Sequence, residues 1–383
     1  MMSKDLVSCI QDIYSTKDQI SLHEPYFDRD EELSLESVIK STFVSSVGPL
    51  VEELESKIST YTGSIYAIAV VNGTSALQVS LELCGVKPAD EVITQSLTFV
   101  ASVNAIHHCS AVPIFVDVCK ESMGMSPQSL NQFLEENCEV REEGCWNIKS
   151  ERIIKACMPM HTFGFPCDIK EIKAVCDKYN IALVEDSAES IGSSYDKKHT
   201  GTFGEFGVIS FNGNKTITTG AGGVILTDNK EKASLAKHIT TTAKLPHKWN
   251  FDHDMPAYNF RMPNLNAALG LSQFNKLPFL LEQKRLIAEK YKDWGDKNGY
   301  CFKQERSGTI SNYWLNTMIV NDKEERDVIL EETNKSLVMT RPAWTPMHRL
   351  PFNISFQRGE MTNTEWLFDR IINVPSGVPK NGA

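Results

Sequence analysis

The stretch V-I-S-F-N-G-N-K-T-I-T-T-G-A-G-G-V-I-L-T, Val208 to Thr227, holds one lysine between two strand-like apolar runs and follows it with glycines. The runs Val208 to Phe211 and Gly223 to Thr227 are close enough for a hairpin-like antiparallel element. Lys215 then stands in the connection between them. A lone turn lysine is usually solvated and protonated, with an ordinary pKa of about 10.4. A catalytic one needs a confined or electropositive site, or a carbonyl to condense with. Gly220, Gly222 and Gly223 would let backbone pass close to such a site.

Upstream of the hairpin, apolar strand-like runs alternate with helical segments. Ala67 to Val71 reads as a strand, Asn72 to Ser75 as a turn, and Ala76 to Cys84 as a helix ending at Gly85. Strands follow at Glu91 to Thr94, Val112 to Val118, Ile153 to Met160 and Ala182 to Asp186, with helices through Ser102 to His108 and near Ile169 to Tyr179. This alternation indicates an α/β fold with a mainly parallel, buried sheet, the hairpin lying beside it. The segment before residue 60 is mixed polar and helical, with helix-period apolar positions over Val51 to Ser59. After about residue 245 the pattern changes to a polar segment, helices near Leu265 to Tyr291 and mixed short elements. The expected division is a large domain over 1–245, including the N-terminal helical segment, and a smaller C-terminal domain over 246–383.

The chain has 383 residues, 41% hydrophobic and 23% charged, which is ordinary for a globular protein that buries a full core. A net charge of −10 without a Lys/Arg cluster makes nucleic acid and anionic membrane poor partners. Any phosphate must be held by a local arrangement of N–H groups rather than by the overall field. The 10 cysteines are scattered without C-x-x-C pairs, which reads as reduced core thiols. The N-terminal M-M-S-K-D-L-V-S-C-I-Q-D has no secretory apolar stretch and no run is long enough to span a bilayer, so a cytoplasmic location is expected.

Three further positions bear on Lys215. Asp186 closes the strand A-L-V-E-D, where parallel sheets place ligands, although a turn or N-cap aspartate is the commoner role for such a residue. Asn72-Gly73-Thr74-Ser75 lies between a strand and a helix, so its N–H groups and the helix macrodipole suit a phosphate; it is also a common turn composition. Phe99 could lay its ring over a flat ligand, though a phenylalanine in such a run is more often core. Together these match pyridoxal phosphate, which requires a Schiff-base lysine, a carboxylate at the ring nitrogen, a phosphate cup and a stacking ring. No metal site is expected.

The blocks N-G-T-S-A-L, S-L-T-F-V-A-S-V-N-A-I, V-E-D-S-A-E-S-I-G, G-T-F-G-E-F-G-V-I-S-F-N-G-N-K-T-I-T-T-G-A-G-G-V-I-L-T-D and Y-N-F-R-M-P-N-L-N-A-A-L-G occur in that order. They resemble the DegT/DnrJ/EryC1/StrS family of sugar aminotransferases, over nearly the whole chain. The resemblance implies a type I aminotransferase fold with a mostly parallel seven-stranded sheet, and a homodimer with active sites at the subunit interface. It implies Lys215 as the Schiff-base lysine and Asp186 as the partner of the ring nitrogen. Gly73, Thr74, Ser75 and Ser210 become the phosphate cup, Asn259 a phosphate ligand from the other subunit, and Phe99 the stacking ring. Glu189 falls where many members carry His or Gln near the phenolic oxygen of the cofactor.

S-L-H-E-P-Y-F, S-T-F-V-S-S-V-G-P-L-V-E-E-L-E and T-R-P-A-W-T-P-M-H resemble the branch that aminates C4 of UDP-linked 4-keto-6-deoxy-N-acetyl sugars for bacterial surface glycans, with glutamate as the usual donor. Arg261 and Arg341 are candidates for the donor carboxylate or the nucleotide, since a guanidinium fork suits either, and equally for surface ion pairs. His161 is a candidate for the cavity wall or a structural histidine. The stretch 45–48, beginning at Ser45, is a candidate for the sugar pocket of the partner subunit or an ordinary loop. The alternatives are a C3 aminotransferase acting on a dTDP-linked keto sugar, and a non-catalytic sugar-nucleotide-binding regulator. A dehydratase of the same family would carry His in place of Lys215. ATPase and dehydrogenase readings fail because neither G-K-[ST] with the right glycine spacing nor G-x-G-x-x-G is present.

Overall fold

The computed structural model describes residues 2–46, 48–380 and 382. Its largest sheet contains β1 (Tyr66–Val70), β2 (Glu91–Gln95), β3 (Val112–Val116), β4 (Cys138–Arg141), β5 (Gly144–Asn147), β6 (Arg152–Met158) and β7 (Ala182–Asp186). After two short strands, β8 (Ser194–Tyr195) and β9 (Lys198–His199), it is completed by β10 (Phe206–Ser210) and β11 (Gly223–Thr227). Seven strands, the number expected, run in the order β1-β11-β10-β7-β6-β2-β3. The pairings β10–β7, β7–β6, β6–β2 and β2–β3 are parallel, and β11 is antiparallel to both of its neighbours. The β10–β11 hairpin is therefore part of the sheet rather than an element beside it. The sheet has nine strands because the β4–β5 hairpin adds to the start of β6 through antiparallel β5.

Helices cover both faces, which is why strands such as β10 (F-G-V-I-S) and β11 (G-V-I-L-T) are buried throughout and read as unbroken apolar runs. On one face α4 (Gly73–Leu83), α5 (Val100–His108) and α8 (Lys230–Thr240) pack Leu77, Ile106 and Ala236 against Val70, Val184 and Val208. On the other, α3 (Pro49–Thr62) and α9 (Asn264–Asn275) pack Leu54, Ile58 and Ala267 against Ala69, Ile209 and Val224. Farther along that face, α6 (Pro127–Asn137) and α7 (Ile169–Lys178) cover Ile93, Ile114 and Leu183. Each large apolar side chain buried in these layers contributes roughly 1.5–3 kcal/mol. A charge at Val184, in the middle strand and wholly buried, would disrupt the core more than any surface change.

A second sheet, in the order β12 (Cys301–Phe302), β14 (Asn316–Ile319), β16 (Ile371–Val374) and β15 (Arg341–Pro342), belongs to the C-terminal half. The strand β13 (Thr309–Ile310) pairs instead with β8. Of the remaining helices, α2 (Arg29–Ser41) lies along α9, and α11 (Lys323–Lys335) and α12 (Thr362–Phe368) belong to the C-terminal half. A division at residue 245 does not separate the cores. Leu6 and Ile10 of α1 (Met2–Tyr14) pack with Met318, Ile329 and Val374, so the N-terminal helix joins the C-terminal core. Conversely α9 packs on the large sheet, and α10 (Leu277–Asn298) serves both, with Leu277 and Leu280 in one cluster and Ile287 and Tyr291 in the other. An amphipathic helix goes wherever its apolar stripe is covered, whatever its order in the chain.

All ten cysteines are free. Among the described residues no helix is long and apolar enough to cross a membrane, and no group of His, Cys, Asp and Glu could hold a metal ion.

Candidate active site

The carboxyl ends of β1, β2, β7 and β10 open onto one cavity of about 270 Å³, where ligands of open parallel sheets bind. Asp186 ends β7 on the face covered by α5, and Ser102 of α5 donates to its Oδ2 at 2.7 Å. The Ala188 N–H donates to Oδ1 at 3.1 Å. Burial raises the Asp186 carboxyl above its ordinary pKa, opposed by these two donors and by the Lys215 charge. Among the described residues no cation lies within ion-pair distance of it, so a protonated ring nitrogen set against it would favour the ionised form.

Lys215 is reached through the turn after β10, where its N–H donates to the Asn212 carbonyl at 3.0 Å. Its side chain is buried, with Nζ 3.0 Å from Glu189 Oε1 and 4.0 Å from the centroid of the Trp314 ring. Glu189 is itself buried, and its Oε2 accepts the Phe163 N–H at 3.0 Å. Desolvation pushes the Glu189 carboxyl up to about 7, with the Lys215 charge and these hydrogen bonds opposing the rise. Phe163 has a left-handed φ of 57°, costly for a residue with a side chain, and the bond from its N–H to Glu189 helps to hold it.

Opposite Asp186 the cavity is bounded by the start of α4. Asn72 caps that helix by accepting the Ser75 N–H at 2.8 Å, which leaves the Gly73 and Thr74 N–H groups without intrahelical partners. Two glycines bring this helix end against the sheet. A Cβ on Gly73 would stand 3.0 Å from Ser210 Cβ, and one on Gly223 only 2.7 Å from the Asn72 carbonyl carbon. Free N–H groups, the helix dipole and the Ser210 hydroxyl form a phosphate-sized cradle. A cradle, a buried carboxylate without a cation and a lysine amine in one cavity fit pyridoxal phosphate.

Gly73, Thr74, Phe99, Asp186, Glu189, Ser210 and Lys215 all line this cavity. Ser75 does not, and its N–H is committed to the cap. Of the two roles open to His161 the structure shows the structural one: its ring is fully buried and does not line the cavity, with Nε2 3.1 Å from Glu185 Oε2 and Nδ1 accepting the Cys167 N–H at 3.2 Å. Arg261 donates to the Thr241 carbonyl, while Asn259 and Ser45 are exposed, and none of the three lines the cavity of its own chain. Val47, inside the stretch 45–48, lies outside the described residues. Arg341 lines a second cavity of about 540 Å³, which shares Asn214, Trp314 and Trp344 with the lining of the first. Sequence reasoning missed Ser102 and the two tryptophans as site residues. Ser102 stands three residues after Phe99, and Trp344 lies inside T-R-P-A-W-T-P-M-H.

The fold and this cavity define the class of enzyme that works through pyridoxal phosphate. The model of the DegT/DnrJ/EryC1/StrS aminotransferase family matches residues 25–380, and the chain belongs to that family. It is thus a pyridoxal phosphate-dependent aminotransferase. It is 34% identical over 361 residues to a GDP-perosamine synthase of Escherichia coli O157:H7, covering 93% of each chain. It is 33% identical to EpsN of Bacillus subtilis, named as a pyridoxal phosphate-dependent aminotransferase, over 94% of this chain and 91% of the relative. The fold is that of Helicobacter pylori PseC, an aminotransferase of pseudaminic acid biosynthesis, at a TM-score of 0.85, 22% identity and 94% coverage of both chains.

Proposed function

We propose that this chain transfers the amino group of glutamate to the C4 keto carbon of a nucleotide-linked 4-keto-6-deoxy-N-acetyl sugar, for surface glycan synthesis, and works as a homodimer. The observation that carries the aminotransfer is that the Lys215 amine and the Asp186 carboxylate line one cavity beside an anion cradle. Pyridoxal phosphate, when bound, supplies the aldehyde and the electron-accepting ring through which an amino group is exchanged for a keto oxygen.

The residues divide the remaining work. Gly73, Thr74 and Ser210 would hold the phosphate, and Asp186 would keep a proton at the ring nitrogen. Glu189, 3.0 Å from Lys215 Nζ and titrating near neutrality, takes a proton from that amine or returns it. Lys215 would hold the cofactor's aldehyde and, as a free amine, would move a proton to and from the substrate carbon. Phe99 would cover the ring, and Arg341 in the neighbouring cavity suits a donor carboxylate. Ser45, Asn259 and Arg261, all outside the cavity of their own chain, support their use by a second copy.

The blocks around S-L-H-E-P-Y-F support a UDP-linked sugar. A GDP-linked sugar is the second reading, favoured by relatives named GDP-perosamine synthase in Escherichia coli and Vibrio cholerae. The deciding experiment is a half-reaction of the aminated enzyme with UDP-, GDP- and dTDP-linked 4-keto and 3-keto sugars. Return of the aldehyde spectrum with a 4-keto sugar alone is expected, and a response only to 3-keto sugars would overturn the C4 assignment. Lys215→Ala should lose both the borohydride-sensitive visible band and amino transfer, and turnover by that variant would refute the role of Lys215.

A further inference from the structure

Lys284, on α10, is 1% exposed and lies outside the cavity that holds Lys215. Its Nζ is 2.7 Å from the Ser376 carbonyl, 2.9 Å from His23 Nε2 and 3.2 Å from the Trp314 carbonyl. Among the described residues no acidic group offsets its burial, which pushes the amine down to about 7. A buried cation without a carboxylate is a poor choice for stability, and an apolar chain of equal length would pack at lower cost. An ammonium has three N–H donors, and these three acceptors match them.

The acceptors lie in segments far apart in sequence, and two of the three residues wall the neighbouring cavities. His23 lines the second cavity, and Trp314 lines both. Trp314 is held at every polar group: its N–H by Asn312 Oδ1 at 2.8 Å, its indole N–H by the Asn214 carbonyl at 2.7 Å, and its carbonyl by Lys284. Its ring face meets the Lys215 amine. Asn312, two residues earlier, also donates to the Glu189 carbonyl at 2.8 Å. The short run from Asn312 to Trp314 thus braces both groups that exchange a proton.

We propose that Lys284 is a positioning residue: it fixes the main chain behind Trp314, so that the Trp314 ring sets the place of the Lys215 amine. A shift of about an ångström in a reacting amine changes rates by roughly 10- to 100-fold. This rests on Lys215 being the cofactor lysine, which Lys215→Ala tests separately.

The test uses Lys284→Met in the full chain. In cofactor-free protein, acrylamide quenching of the fluorescence component that Trp314→Phe removes should increase, a readout independent of any bound group. At saturating pyridoxal phosphate, covalent capture on Lys215, followed by borohydride trapping and peptide mapping, should slow by about tenfold with the noncovalent affinity unchanged. A purely structural role would lower the melting temperature and leave both readouts at wild-type values, and that result in folded Lys284→Met overturns the proposal. If Lys284→Met does not fold, Trp314→Leu and Trp314→Phe decide. Slow capture with Leu and near-normal capture with Phe supports the ring contact, and normal capture with Leu overturns it.

Discussion

Glu185 and Asp186 are neighbours on β7, both acidic and both buried, yet they do opposite things. Alternation along the strand sends them to opposite faces. Glu185 shares its face with Leu183 and accepts the N–H groups of Gly201, Phe203 and Gly204 and the Nε2 of His161. Its lone pairs are taken, and it holds the turn before β10 in place. Asp186 shares its face with Val184; among the described residues its carboxylate accepts only from Ser102 and Ala188, and it is left short of a cation in a cavity. A saturated buried carboxylate stabilises the fold, whereas an unsaturated one facing a cavity is available to a ligand.

The largest effect should follow from breaking the second member of the pair. Asp186→Asn keeps the shape and the hydrogen bond from Ser102 but cannot hold a proton on a ring nitrogen. Turnover of the loaded enzyme should fall by about 100-fold or more, while the melting temperature of the cofactor-free protein stays level or rises, because a buried carboxyl without a cation is removed. Steady-state rates on the loaded enzyme and calorimetry on the cofactor-free protein measure the two, and an unchanged rate would remove Asp186 from the chemistry. Glu185→Gln should invert the pattern. An amide presents N–H groups to donors, so it should destabilise the protein by about 3–5 kcal/mol in denaturant unfolding and leave turnover per folded molecule near wild type.

How far the sequence discloses this contrast depends on the kind of signal. The unbroken apolar runs of β7, β10 and β11 are legible because strands buried on both faces leave no other composition. Lys215, Asp186 and the turn at Gly73 and Thr74 are legible because their chemistry is local to strand ends. Glu185 is not, since its partners at 161 and 201–204 come together only in the tertiary structure. The same holds for Trp314 against Lys215, and for α1, whose place in the C-terminal core is set by which apolar stripe remains uncovered. The β4–β5 hairpin lies in a polar, partly exposed segment and has no strong alternation of its own.

A third carboxylate sharpens the comparison through pH. Burial raises Glu189 from 4.5 to about 7, so the neutral form is the one the cofactor-free fold favours. Its contribution to stability is then fully present below about pH 4.5 and is lost as pH rises toward 7, because the unfolded chain releases the proton more readily. The loss across that window is of the order of a few kcal/mol. Glu189→Gln should remove this slope from the stability profile and the step near pH 7 from the rate profile; persistence of both would assign them to another group.

The smallest effect separates a structural histidine from one at the cavity. The Cys167 N–H donates to His161 Nδ1, so the ring proton sits on Nε2 and points at Glu185. Asparagine can reproduce the acceptor at Nδ1 but not the donor at Nε2, and glutamine the reverse. Each substitution therefore breaks one of two buried hydrogen bonds and should cost about 1–3 kcal/mol. The His161 ring bonds neither Lys215 nor the Asp186 carboxylate, and the main-chain bond from its N–H to the Asp186 carbonyl is kept in both variants, so turnover should stay within about twofold of wild type for both. A change in turnover without a loss of stability in either variant would mean that the imidazole acts on the cavity, and the division of β7 into a structural and a chemical face would fail at that residue.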